Sequence, residues 1–186
     1  MLAGRAFSAR RDAGEPPGAA LQAAPDATAG ADQQGVVRAP DISSLSPEER
    51  ADRLFNRVML LNSQGKSDSV QFFAPMALTA YQMLGALNAD QRYDMGRIAE
   101  AAGAIPLAKA QADSILQKNP THLLGLILAA HVAALEKNSA GLRAFEKRLV
   151  TASQSEIAKK LEEYDRHSTE ITNGLAEARR DLGSTR

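Results

Sequence analysis

The sequence predicts an all-α chain, an α-solenoid of antiparallel helix pairs closed by a long C-terminal capping helix. Three observations predict it. From about residue 46 onward apolar residues recur every three or four positions, and no strand-like alternation interrupts them. Met95-Gly96, Gly103, Ala108 and Pro120 stand at the offsets of a helix–turn–helix repeat about 34 residues long. Aromatic residues make up only 4% of the chain and Trp is absent, so the core must be built from Ala, Leu, Ile, Val and Met, which suits closely stacked helices.

The elements follow in order. Residues 1–40 are rich in Ala, Gly, Pro, Asp, Gln and Arg, and Leu2, Phe7, Leu21, Val36 and Val37 are too sparse to bury. This stretch is expected to form a disordered arm, with a helical-repeat domain over 41–186. Its first helix starts at Ser46-Pro47-Glu48-Glu49: Ser46 can accept from free backbone N–H groups, Pro47 suits the first helical position, and Glu49 can reach back to complete a capping box. Ala51, Leu54, Phe55, Val58 and Leu61 then trace one buried stripe up to a turn at Gly65. A second stripe, Phe73, Met76, Ala77, Ala80, Tyr81 and Leu84, contains Pro75, which removes a backbone donor and predicts a kink or a restart near Ala74.

Asn88 with Gln91 forms another capping pair ahead of a helix bearing Tyr93, Ile98 and Ala99. Ala102-Gly103 closes it, and Leu107, Ala108, Ala112, Ile115 and Leu116 form the returning helix. Pro120 ends that helix and Thr121 is placed to cap LLGLILAAHVAAL, which is apolar on every side and must lie between neighbours. Lys137-Asn138 supply a polar turn, and Leu142, Phe145 and Leu149 make the next stripe. Beyond it Ile157, Leu161, Tyr164, Ser168, Ile171, Leu175, Ala178 and Leu182 step by four and three without a break, a heptad seam with one polar member. As one helix, 157–182 would run roughly 39 Å at 1.5 Å per residue and overhang the last pair. Its distal seam would then pack on a second copy in a homodimer, on another partner, or back on the chain itself.

Composition narrows the function classes. Among the 186 residues, 22 Lys and Arg balance 22 Asp and Glu, so no basic field draws in nucleic acid or anionic lipid. The absence of Cys rules out disulfides, thiolate metal sites and a cysteine nucleophile. No window approaches the roughly 18 apolar residues of a membrane span, so membrane insertion is not expected. The start MLAGRAFSARR is basic, free of acids and ends in a twin arginine, but Asp12, Glu15, Pro16 and Pro17 follow where an apolar region would be needed. No targeting signal is therefore read, and the cytoplasm is the default location.

With these residues placed, the helix pairs over about 45–150 resemble tetratricopeptide (TPR) repeats. The best copy runs from Ala89 to about His122: Met95-Gly96 takes the Leu-Gly position, Ala99 the small-or-tyrosine position, Gly103 the turn, Ala108 the small crossing position and Pro120 the closing proline. Arg92 stands where the family often has Trp, and Ala112 where it has an aromatic. A third unit begins at Leu123, with Ala129-Ala130 and Ala133 matching and Lys137 in place of the turn glycine; an earlier one begins near Ala51 with Gly65 at its turn. The resemblance implies a concave groove lined by the first helix of each unit, which would carry Phe55 and Met59, then Tyr93 and Arg97, then Leu124, Ile127 and His131. The lysine and asparagine clamp of chaperone-binding members is missing, since Phe55, Met59 and Leu128 stand there.

Candidate chemistry is sparse. Glu163, His167 and Glu170 share one face of a continuous helix at i, i+4 and i+7 and offer mixed nitrogen and oxygen donors, but helical carboxylate sites need matching donors from further helices, so a solvated charged face is the expected reading and no metal is assigned. His131, inside an apolar helix, reads as a packing or groove residue. Asp90 and Asp94 read as carboxylates favoured near a helix start. Neither a G-x-S-x-G elbow nor a Gly-rich phosphate loop occurs, so no catalytic residue or cofactor is expected. The expected function is a non-enzymatic scaffold that holds a peptide or protein partner in the groove, with a TPR module of a bacterial envelope or secretion assembly, tethered through the N-terminal arm, as the alternative.

Overall fold

The computed structural model describes residues 45–184, and the arm expected over 1–40 lies outside them. Among the described residues the fold is all-helical and has no strand. Helices α1 (Pro47–Ser63), α2 (Ser67–Gln82), α3 (Ala89–Ala101), α4 (Ile105–Lys118), α5 (Leu123–Leu135) and α6 (Ser139–Ile157) are followed by a single turn of helix, α7 (Glu162–Arg166), and by α8 (Ser168–Gly183). Each of α1 to α5 packs on its successor, and α1 also touches α3 as α3 touches α5.

Both capping boxes form. Ser46 Oγ accepts from the Glu49 N–H at 3.1 Å while the Glu49 carboxylate accepts from the Ser46 N–H at 2.9 Å, and Asn88 and Gln91 exchange the same pair of bonds at the head of α3. The stripe Ala51, Leu54, Phe55, Val58 and Leu61 is buried as its spacing requires. Pro75 sits inside α2 without splitting it: the helix is continuous from Ser67 to Gln82, and the carbonyl of Pro75 is used a turn later by the Thr79 hydroxyl at 2.9 Å. Within the second stripe Phe73, Ala77 and Tyr81 are buried, whereas Met76 is exposed.

Two glycines set how closely helices approach. A Cβ on Gly96 would stand 2.3 Å from Leu128 of α5, and one on Gly125 would stand 2.7 Å from Ile115 of α4. The turns after α1 and α3 are closed by Gly65 and Gly103 at positive φ, and Lys137 adopts the same left-handed conformation after α5, at φ 57°. The turn after α5 is thus made without a glycine.

Two expectations need correction. Thr121 does not cap α5. Its hydroxyl turns to Asn119 and Glu156, and the N–H of Leu123, first in the helix, is taken by the hydroxyl of Tyr164 at 3.1 Å. Nor is 157–182 one helix. The chain leaves α6 at Ala158, passes through Lys160 at φ 50°, and folds back, so that Tyr164, Ile171, Leu175 and Ala178 join the core around α5 and α6. The heptad spacing is therefore satisfied inside the chain. Ile157, first in the seam, remains half exposed.

Candidate functional site

The seven residues expected along the groove are divided by this return of the chain. Leu124 and Ile127 lie in the core beneath α8, where Gly174 allows the helix to approach so closely that a Cβ there would be 3.1 Å from Ile127. Phe55 and Tyr93 are buried and meet the ring of His167 edge-on, at centroid distances of 6.4 and 4.8 Å. Met59 is partly buried in the cluster formed with α2. Of the seven, Arg97 and His131 line an open cleft, and Ile127 shares with His131 a second hollow beside Glu146 and Gly174.

The open cleft is lined by Asn62 of α1, Arg97, Glu100 and Ala101 of α3, and His131, Ala134 and Leu135 of α5. Successive turns of α3 carry its polar groups: Tyr93, Arg97 and Glu100 are spaced by four and three, which puts them on one face. Arg97 donates from Nη1 to the Tyr93 hydroxyl at 3.0 Å, lies over the Tyr93 ring, and reaches Glu100 with Nε at 2.9 Å. His131 approaches the same Glu100 oxygen from α5 at 3.5 Å. Burial works against the Arg97 charge, but Tyr93 and Glu100 outweigh it and hold the guanidinium protonated, while burial pushes the Tyr93 hydroxyl up to about 12. The second oxygen of Glu100, Oε1, is buried and without a hydrogen-bond partner.

A second polar cluster ties the returning segment to the first three helices. Asp90 and Asp94, four residues apart on α3, point at the junction of α7 and α8. Arg166 pairs with Asp90, with Asp94 at 2.5 Å and with Asp52 of α1 at 3.4 Å. His167 directs Nε2 to Asp90 at 2.9 Å and to Asp94 at 3.3 Å, and the Tyr81 hydroxyl of α2 donates to Asp94 at 2.9 Å. Burial pushes the Asp94 carboxyl up to about 6, against the downward pull of Arg166 and His167. Burial also works against the Arg166 charge, yet Asp94, Asp90 and Asp52 together hold it well above the ordinary guanidinium range. Arg166 thus stays charged, and the buried carboxylate bears the cost of desolvation.

Asp90, Asp94 and His167 bring ligand atoms within 4.8 Å of one another, a spacing compatible with a metal ion. Arg166 already supplies the positive charge there, bridging both carboxylates. The triad weighed from sequence is dispersed: Glu163 faces His122 at 3.3 Å, His167 faces α3, and Glu170 lies near Tyr93 and Arg97. His167 is 3% exposed, so this face is not the solvated one expected.

Sequence reasoning also missed the knot at the start of α5. Tyr164 donates to Glu156 at 2.9 Å while accepting from Leu123, Lys159 donates to the same carboxylate at 2.7 Å, and His122 stacks edge-on to Tyr164 at 5.1 Å. Burial tends to raise Glu156, but hydrogen bonds from Lys159, Thr121 and Tyr164 bring it below the usual carboxylate range; burial lowers His122. Side chains separated by up to 41 positions build this knot, and no local motif announces it. No family model, curated protein or solved structure matches the chain.

Proposed function

We propose that the chain is a non-enzymatic scaffold, a short TPR-like stack of antiparallel helix pairs that holds a peptide or protein segment at the open end of its groove. The observation that carries this reading is the cleft lined by Asn62, Arg97, Glu100, His131 and Leu135: it takes side chains from α1, α3 and α5 alone, the first helix of each pair. The contacts of α1 with α3 and of α3 with α5 support the stacked arrangement, as does the left-handed turn that recurs at Gly65, Gly103 and Lys137. Leu135, 53% exposed, offers an apolar anchor beside the Arg97–Glu100 ion pair, which presents the charged groups of the cleft.

The test is site-specific photo-crosslinking in cells of the source organism, with the probe at Leu135 in the cleft and, as a control, at Lys118 at the end of α4, outside the cleft. A partner captured from Leu135 and not from Lys118, and lost in Arg97→Ala with the helical signal unchanged, is the expected result. Equal capture from both positions, or capture indifferent to Arg97, overturns the reading.

A further inference from the structure

We infer that α7–α8 is an exchangeable element, which docks on the same face of a second copy of this chain to form a domain-swapped dimer when the hinge at 158–161 straightens. The exchange involves the covered part of the face and not the open cleft, so it stands independently of the partner-binding reading above.

Three observations support it. The first is the conflict at the hinge. Residues 157–182 carry an unbroken heptad seam, and Ala158, Lys159 and Lys160 are all good helix formers, so local preference favours a helix running straight on from α6. The structure instead turns back through Lys160 at φ 50°, a left-handed conformation that a residue with a side chain adopts at a cost. Straightening removes that cost in each copy.

The second observation is how the returning segment is held. Its fastening is made to other helices: Arg166 to Asp52, Asp90 and Asp94, His167 to Tyr93 and Asp90, Tyr164 to Leu123, and Ile171 and Leu175 to the core around α5. All of these survive unchanged if the segment comes from another copy. The third is what exposure of the face would mean. With α7–α8 withdrawn, Tyr93, Leu124 and Ile127 lose their cover, and Asp52, Asp90 and Asp94 lose their cation. A foreign ligand would have to reproduce both the apolar ridge and the Arg-His pair. A second copy supplies them identically.

The test uses the full chain, refolded from denaturant at high micromolar concentration and sized by light scattering. A species of twice the monomer mass is expected. Lys160→Gly, which frees the turn and weakens the straight helix, should lower the dimerisation constant by about tenfold or more, and deletion of Lys159 and Lys160 should leave only dimer. Should the deletion fail to fold, a charge exchange decides the question. Arg166→Asp and Asp90→Lys are refolded separately and together, and native mass spectrometry reads the composition. In a swapped mixed dimer, the native Arg166 of the Asp90→Lys chain meets the intact carboxylates of the Arg166→Asp chain, and at the other junction the introduced acid meets the introduced amine. Mixed dimers should therefore exceed either variant's own dimers. A monomer at every concentration in the unmutated chain, with no mixed species on co-refolding, overturns the inference.

Discussion

Asp94 is the residue on which folding and pH meet. In the folded chain its carboxyl keeps a proton up to about pH 6, whereas the unperturbed value is 3.8. Between those limits the folded state binds more protons than the unfolded one, so this group's contribution to stability is greatest below about pH 4, is lost as pH rises to about 6, and is constant above that. About two pK units correspond to roughly 3 kcal/mol. The stability of the wild type relative to Asp94→Asn should therefore fall by about that amount between about pH 4 and about pH 7 in urea titrations; a difference independent of pH would show that Asp94 is not desolvated. From the sequence, Asp90 and Asp94 are legible only as acids near a helix start. Their partners stand more than 70 positions later, and a carboxylate's spacing says nothing of which distant cation it will meet. Ala108 is legible as a small crossing residue, and it is fully buried beside Ala99 and Val132. Ala108→Leu should cost roughly 1–3 kcal/mol through overpacking, visible as a lower urea midpoint.

At the scale of the element, helix starts and close crossings are readable because both are fixed by a few neighbouring residues. Ser46 with Glu49 and Asn88 with Gln91 declare α1 and α3 from within four residues. The break after α6 is not readable, since Ala158, Lys159 and Lys160 favour a helix, and the turn is made worthwhile by tertiary contacts: the Glu156–Tyr164 bond, the pairing of Arg166 and His167 with α3, and the core beneath α8. Gly125 shows how tight the crossings are. Ile115 branches at Cβ and cannot easily move its Cγ2 aside, so Gly125→Ala should destabilise by up to about 2 kcal/mol: overpacking costs about 1–3, and the gain in helix preference returns about 1. A midpoint raised by the substitution would mean that α4 and α5 are not held this closely. Lys137→Gly, at the left-handed turn after α5, should act oppositely and stabilise by about 0.5–1 kcal/mol in the same titration.

For the molecule as a whole, α5 is the axis: Leu123, Leu124, Leu126, Ile127 and Leu128 are at most 2% exposed, with α3, α4, α6 and α8 around them. Its all-round apolarity predicts such a place, though not that the fourth neighbour is α8, which follows it in the same chain. Termination after Ile157 should consequently give a protein that binds a hydrophobic dye and melts with reduced cooperativity, and an unchanged thermal transition would show that α7–α8 is ornamental.

The Tyr164 hydroxyl at the head of α5 has a bearing on how the protein is made. Translation delivers α5 to the ribosome exit well before Tyr164, so the helix at the centre of the fold emerges with its leading amide left to water and one flank bare. Until the remaining segment has been added, the nascent chain presents Tyr93, Leu124 and Ile127 to the surrounding medium, and Asp90 and Asp94 repel each other with no cation between them. Completion waits for α8. Synthesis and folding are thus coupled at one late step, and the interval before it is when a ribosome-bound holdase would find this chain.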